Sequence, residues 1–438
     1  MTNTITRTAT LGNLPELTEP ATEGWSTRRG TAEWTAVVML TAAFIFQPIL
    51  HPSGPGNTSP VDLLVVASIL TGAIWARSGH HKLRAPYFIP FALMVAAGAA
   101  SGLVSVLPGL ALTTLATELL LFAWCTVIVN VLSSPRAMRI ALAAWSWSGI
   151  LWAAVVVAGW LGHISSLEGL QAADGNRVLF TFGDPNYAGT YWVVAIFVVY
   201  AAGVPSVRWM RFTGYVILAW ALALSESNGA ILALAIGIIF LLLVRAHRKR
   251  GMVGTLAVLL VVVLTVTVFL TAVPISGIRQ QALNSGQPLL VNSVGRSGQS
   301  TSERGKLEVE AFQLYRQSDG ILGLGPGSTK ALLTSENAPY PNQAHNDLLA
   351  SLAERGVLGV LGLLLLVATA AFWAAPLVRR RLSPAFAAAV PRSAGLVAAL
   401  LAFACISYYE EVLHFRFLWA LLGIVAILGK DARALRSA

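Results

Sequence analysis

Residues 229–275 read GAILALAIGIIFLLLVRAHRKRGMVGTLAVLLVVVLTVTVFLTAVPI, and they decide the fold. Two apolar runs, 229–244 and 252–275, flank a knot of Arg245, Arg248, Lys249 and Arg250. About 20 apolar residues in helical form cross a bilayer. A cluster of cations between two such runs stays at one membrane surface. The stretch therefore reads as two membrane helices joined by a charged turn.

The rest of the chain repeats this pattern. Of its 438 residues, 56% are hydrophobic and only 11% charged. A soluble domain carries about 25% charged residues, so a water-exposed surface cannot be built at this composition. The fold class expected is an all-α polytopic membrane protein. Twelve spans are expected, at 34–50, 61–76, 86–106, 109–132, 137–162, 188–203, 209–225, 229–244, 252–275, 356–378, 393–410 and 414–429. The net charge of +10 does not point to nucleic acid, because Lys and Arg sit in short clusters between spans rather than on one basic face.

Assigning the connections alternately to two sides puts 21 of the 30 Lys and Arg on the side of the N-terminus. Basic short loops stay in the cytoplasm. Both termini are then cytoplasmic, in a multi-pass membrane protein. Residues 1–33 read as a disordered tail with no apolar core of a signal peptide, 430–438 as a second cytoplasmic tail, and 34–275 and 356–429 as helices 1–9 and 10–12. Cys125 and Cys405 lie in apolar runs, outside any metal-binding spacing.

Between helices 9 and 10 lies a polar island, 276–355, assigned by the alternation to the outside, where no ATP is at hand. Ser300-Thr-Ser-Glu303 fits a capping box, and a helix is expected over 301–317 with Arg304, Leu307, Glu308, Ala311 and Tyr315 on one face. An Arg there offers a forked donor to phosphate; the alternative is a solvated surface Arg. Gly323-Leu-Gly-Pro-Gly327 has the wrong order for a Walker loop and reads as a tight irregular turn. A second helix is expected over 342–356, capped by Asn342 and stopped by Gly356, with His345 in its first turn. The helix dipole would keep that imidazole neutral and able to act as a base; the alternative is a packing His. Tyr408–His414 reads as an interfacial turn, with Glu411 and His414 close enough in sequence to touch one metal. Glu118 is an intramembrane carboxylate, a candidate for function or for a bond within the bundle.

These motifs resemble the O-antigen ligase and polymerase superfamily. The resemblance rests on the order Arg304, Gly323-Leu-Gly-Pro-Gly327, His345-Asn346 and Leu-Ala-Glu354-Arg-Gly356-Val-Leu-Gly359. Arg177-Val-Leu-Phe-Thr-Phe-Gly-Asp184-Pro-Asn186-Tyr-Ala also resembles an Arg- and Asn-bearing stretch of the family. It implies a GT-C-like glycosyltransferase that moves a glycan from an undecaprenyl-diphosphate carrier to a glycan, glycolipid or protein acceptor, with inversion and without metal or other cofactor. It implies catalytic roles for His345 and Arg304, and substrate contacts for Arg177, Asn186, Asn228, Arg296 and Asn346. One departure stands out: Ser225-Glu-Ser227-Asn228-Gly229 carries Asn where relatives often carry Arg. The second charge then comes from Arg177, Arg279 or Arg296, or the donor site differs. The resemblance does not separate a ligase from a polymerase of lipid-linked repeats. A transporter or flippase is the reading from another class, and it predicts 6+6 internal symmetry that the long loop between helices 9 and 10 breaks.

Overall fold

The structure, a computed structural model, describes residues 30–51, 58–78, 82–169, 177–287, 290–295, 297–318, 321–337, 343–379 and 381–437. Every regular element among them is helical. In chain order these are α1 (Thr31–Ile45), α2 (Pro60–Ser78), α3 (Phe88–Val104), α4 (Pro108–Val131), α5 (Pro135–Leu161), α6 (Ser165–Glu168), α7 (Pro185–Ala202) and α8 (Arg208–Ser225). There follow α9 (Asn228–Ala272), α10 (Ile275–Asn284), a π turn at Val291–Gly295, α11 (Ser297–Gln317), α12 (Ser328–Ser335), α13 (Asp347–Arg379), α14 (Pro384–Ala389), α15 (Ala394–Ile406) and α16 (Arg416–Ser437). The tail expected at 1–33 lies outside the described residues up to 29, and α1 already begins at Thr31.

Each of the twelve apolar stretches coincides with a helix or part of one. Five helices among the described residues meet both the length and the hydropathy needed to cross a membrane: α2, α4, α5, α9 and α13. Two of the twelve stretches share α9, which is 45 residues long. A straight helix of that length would put its ends about 65 Å apart. Yet the Asn228 amide donates to the Ser293 carbonyl at 2.9 Å. The residues between Ala272 and Ser293 include the helical α10 and reach about 50 Å at most. The chain must therefore double back inside α9. It does so at Gly251, whose φ of 61° and ψ of −147° suit glycine alone. The sequence's two spans and basic turn are thus one broken element.

At the centre runs α7, packed against α5, α8, α9 and α15 and buried on every side, as an all-round apolar helix should be. Its start is fixed by Asp184, whose Oδ1 accepts from the amides of Asn186 at 2.6 Å and Tyr187 at 3.1 Å. Tyr187 stacks on Phe415 with ring centroids 3.9 Å apart, joining α7 to the turn before α16. Two buried ion pairs clamp the bundle from its sides. Arg416 of α16 holds Asp62 of α2 with Nε–Oδ1 at 2.7 Å and Nη2–Oδ2 at 2.5 Å. Arg355 of α13 pairs with Glu118 of α4, so the intramembrane carboxylate is taken up within the bundle.

The loop between the spans departs from expectation in three ways. First, α11 starts at Ser297 rather than 301; Leu307 and Ala311 of the expected face are buried, together with Leu314, which was not placed on it, while the side chains of most of the capping box lie outside the described residues. Second, the helix expected from 342 starts at Asp347, with α12 (Ser328–Ser335) between it and the Gly-rich turn. Asn346 caps it by accepting from the amides of Leu348 at 3.0 Å and Leu349 at 3.1 Å, and Asn342, the expected cap, lies outside the described residues. Third, Gly356 does not stop that helix. It kinks α13 with φ 63°, because the carbonyl of Ile321 sits where a side chain would stand. The Gly-rich stretch is the irregular turn expected: Gly323, Gly325 and Gly327 all have positive φ. Glu354 pins it by accepting from the amide of Gly327 at 2.7 Å and the hydroxyl of Thr329 at 2.8 Å.

Candidate active site

His345 lies in the link ahead of α13 with φ 49°, so it is not in a helical first turn. The cause is Asn346, whose side chain claims the free amides at the helix start and leaves His345 outside. The ring therefore answers to a side chain rather than a dipole. Its Nδ1 lies 3.0 Å from Oε1 and 3.1 Å from Oε2 of Glu410, with side-chain exposures of 16% and 7%. Two backbone ties hold the segments together: Asp347 N–H donates to the Ser407 carbonyl at 3.0 Å, and Val412 N–H to Asp347 Oδ1 at 3.0 Å.

Charge sharpens this pair. Burial would raise the Glu410 carboxyl, but His345, His414 and Arg304 together hold it below the usual range. An ionised carboxylate only accepts, so His345 Nδ1 carries the proton and Nε2 is the remaining ring nitrogen. Burial would lower His345, but Glu410 outweighs it and, with Asp184, raises the ring above 6.5. The dipole-based expectation of a ring kept neutral is thereby corrected. Asp184 itself is pushed up to about 6 by burial and by the Glu410 charge, against the amides it caps. Glu411, next in the chain, is raised well above the carboxylate range by burial and by its acidic neighbours Glu354, Asp347 and Glu410.

Three of the other residues singled out from sequence gather around this pair: Arg177, Asn186 and Arg304. Asn186 donates from Nδ2 to Glu410 Oε2 at 3.3 Å. Its orientation is forced, because its Oδ1 accepts from the Ser227 hydroxyl at 2.9 Å and from Arg177 Nη2 at 3.3 Å. Arg177 is 4% exposed and also donates from Nε to the Ser225 carbonyl at 3.0 Å. A continuous chain thus runs Arg177, Asn186, Glu410, His345. Arg304, half-buried on α11, lies with its guanidinium carbon 5.5 Å from the centre of the Tyr409 ring, one residue from Glu410. Its charge acts on both members of the pair.

Two of the expected residues stand apart from this pair. Asn346 is the α13 cap, and Asn228 is exposed and bonded to Ser293. Arg296 lies outside the described residues. Arg279 donates from Nε to the Gly295 carbonyl at 3.0 Å, bracing the start of the loop. The residue that sequence reading missed is Glu410. The signal was its place in the short polar turn Tyr408–His414 between the last two apolar stretches. In that turn His414 packs edge-on against Tyr187 and Phe415, and no group of three or more His, Cys, Asp and Glu among the described residues is arranged to hold a metal ion.

Beside the site, α13, α15 and α16 enclose a cavity of about 480 Å³. Asn346, Ser407 and Tyr408 form its polar mouth, and Leu364, Val367 and Leu400 are among its apolar walls. An ion-pair-oriented imidazole, an adjacent guanidinium and an apolar channel together suit a polar reaction on the head of an amphiphile.

Residues 213–364 match the family model of the O-antigen ligase. No curated protein matches the chain. The matched segment runs from α8 to the upper part of α13 and includes Asn228, Arg304, the Gly-rich turn and His345. Arg177, Asn186 and Glu410 lie outside it and reach the same site through the fold. Over these residues the chain is similar to the O-antigen ligase family, which supports its placement in the O-antigen ligase and polymerase superfamily of membrane proteins.

Proposed function

We propose that this protein transfers a glycan from an undecaprenyl-diphosphate carrier to an acceptor hydroxyl at the outer face of the cytoplasmic membrane. It does so within a GT-C-like bundle of twelve crossings whose termini are cytoplasmic. The observation that carries this reading is the His345–Glu410 pair, oriented by Asn186 and flanked by Arg304. In the step itself, the acceptor hydroxyl gives its proton to His345 Nε2 while its oxygen bonds to the anomeric carbon. The bond from that carbon to the diphosphate oxygen breaks, and the electron pair leaves with the diphosphate. A sugar hydroxyl is a poor nucleophile and gains about 100-fold or more from a placed base. Arg304 meets the charge growing on the leaving group, which lets the transfer run without metal, and attack in one step on the face opposite the diphosphate inverts the anomeric carbon. Arg177 acts here through Asn186 as a positioning residue. The carrier's tail lies in the cavity beneath Tyr408.

The family covers ligases and polymerases, which share this chemistry and differ in acceptor. Envelope glycans from a deletion strain, restored with wild type or His345→Ala, separate them. Full-length glycan left on the carrier indicates a ligase, and accumulated single repeats a polymerase. The same profile in all strains would overturn the transferase reading. Inhibition by EDTA that added metal reverses would overturn the metal-free mechanism.

A further inference from the structure

At the end of the bundle away from His345, α4 and α16 and the segment before α3 enclose a second cavity, of about 530 Å³. Two helices fix its position. α16 begins at Arg416, beside the Glu410 turn, and reaches Lys430 about 20 Å further along. α3 ends near Ser105, which donates to Leu324 in the Gly-rich turn, so Arg84 ahead of α3 lies at the opposite end.

Arg84 and Lys430 both line this cavity. Neither forms an ion pair among the described residues. Like charges facing one cavity repel, and slight desolvation of the exposed Lys430 together with the Arg84 charge holds it below its usual range. The acidic residue at hand, Asp431, instead accepts from the amide of Ser383 at 2.8 Å. Arg84 is held in place despite the repulsion. Buried Asn130 accepts from its amide at 3.0 Å and donates to its carbonyl at 2.9 Å. The remaining wall is apolar, with Trp373 and Phe386 among its members.

We propose that this cavity binds the phosphodiester headgroup of an anionic phospholipid between Arg84 and Lys430, with an acyl chain against Trp373 and Phe386. Two cations against one carboxylate, Asp431, which is itself taken up by the Ser383 amide, leave a net positive lining that calls for an anion. The apolar wall distinguishes an amphiphile from free phosphate. The charge alternation puts this end at the cytoplasmic surface, where anionic headgroups attract juxtamembrane Lys and Arg.

Native mass spectrometry of the purified full chain in detergent tests this, with dioleoyl phosphatidylglycerol and dioleoyl phosphatidylcholine as probes. Wild type should retain the anionic lipid preferentially. Arg84→Gln/Lys430→Gln should weaken that binding by about 30-fold, at roughly fivefold per cation. Lys249→Gln/Arg250→Gln removes the same charge from the basic turn of α9 and should leave it unchanged. Equal binding by wild type and the Arg84/Lys430 variant overturns the site, as does equal loss in both variants, which would mean diffuse attraction. Displacement of the lipid by millimolar inorganic phosphate would reassign the cavity to a free anion. Should the double variant fail to fold, Lys430→Gln alone, at an exposed position, is expected to weaken binding about fivefold, and unchanged binding overturns the site.

Discussion

At the residue scale, the proposed transfer turns on which ring nitrogen of His345 is left for the substrate. Glu410 fixes Nδ1 as the donor, so exchanging it removes both orientation and charge. Glu410→Gln is expected to lower kcat about 100-fold. The direction of the pH change follows from the causes already given. His345 must be deprotonated to act, so wild-type activity rises with pH through a midpoint above 6.5. Without the Glu410 charge, burial and Arg304 both pull the ring down, and the rising limb moves to lower pH. A rate–pH profile on purified enzyme with lipid-linked donor checks this; an unmoved limb would dissociate Glu410 from the base. Arg304 offers a second contrast. Arg304→Ala should raise the donor KM and lower kcat, and Arg304→Lys should recover little, because a single ammonium cannot hold a diphosphate with a fork or spread its plane over Tyr409. Full recovery by Lys would reduce Arg304 to a point charge. His345 and Arg304 could be proposed from the sequence because they lie in the ordered motif with the Gly-rich turn. Glu410 was not, because it is 65 positions from His345 and the pairing exists only once Asp347 joins the two turns.

At the element scale, the site is held by breaks in helices rather than by the helices themselves. Apolar length and flanking charge locate the apolar helices, since both are local in the sequence. What they cannot disclose is a helix that continues through a glycine, because the reason lies in another segment. At Gly356 that segment is the turn at Ile321, whose carbonyl fills the side-chain position. On the far side of the kink, Glu354 gathers the amides of Gly327 and Thr329. Gly356→Ala would force a side chain onto a backbone oxygen at a φ of 63° and is expected to destabilise by about 3 kcal/mol. The unfolding midpoint in detergent should fall, and transfer should fall with it, because the strand of chain leading to His345 loses its anchor. A variant of unchanged midpoint would mean that the turn is not held against α13. The same reasoning explains the misplaced start of that helix. Asn342 and Asn346 are both caps by residue type, and only the tie of Asp347 to Ser407 and Val412 selects the second.

At the scale of the molecule, the α9 hairpin settles how the loop returns to the site. Asn228 and Ser293 meet, so the loop leaves the bundle and closes back on the same end at which α9 began. His345, Glu410 and Arg304 therefore share one membrane face with residues 275–295, and the basic turn 245–250 lies at the other. The proposed orientation rests on the cations: the short loops on the side of that turn are basic throughout, and cations in short loops resist translocation. A single-cysteine experiment decides it. Cys125 is buried and Cys405 half-buried, and both are free, so replacing them by Ala and Ser gives a simple background. Gln287→Cys, exposed before the π turn, should react with a membrane-impermeant maleimide in intact spheroplasts. Lys249→Cys, exposed in the basic turn, should react only after lysis. The reverse pattern would turn the site toward the cytoplasm, where a carrier-linked glycan would have to be met before its translocation, and the transfer proposed here would lose its setting. Labelling of both positions from outside would deny that α9 is a hairpin crossing the bilayer twice.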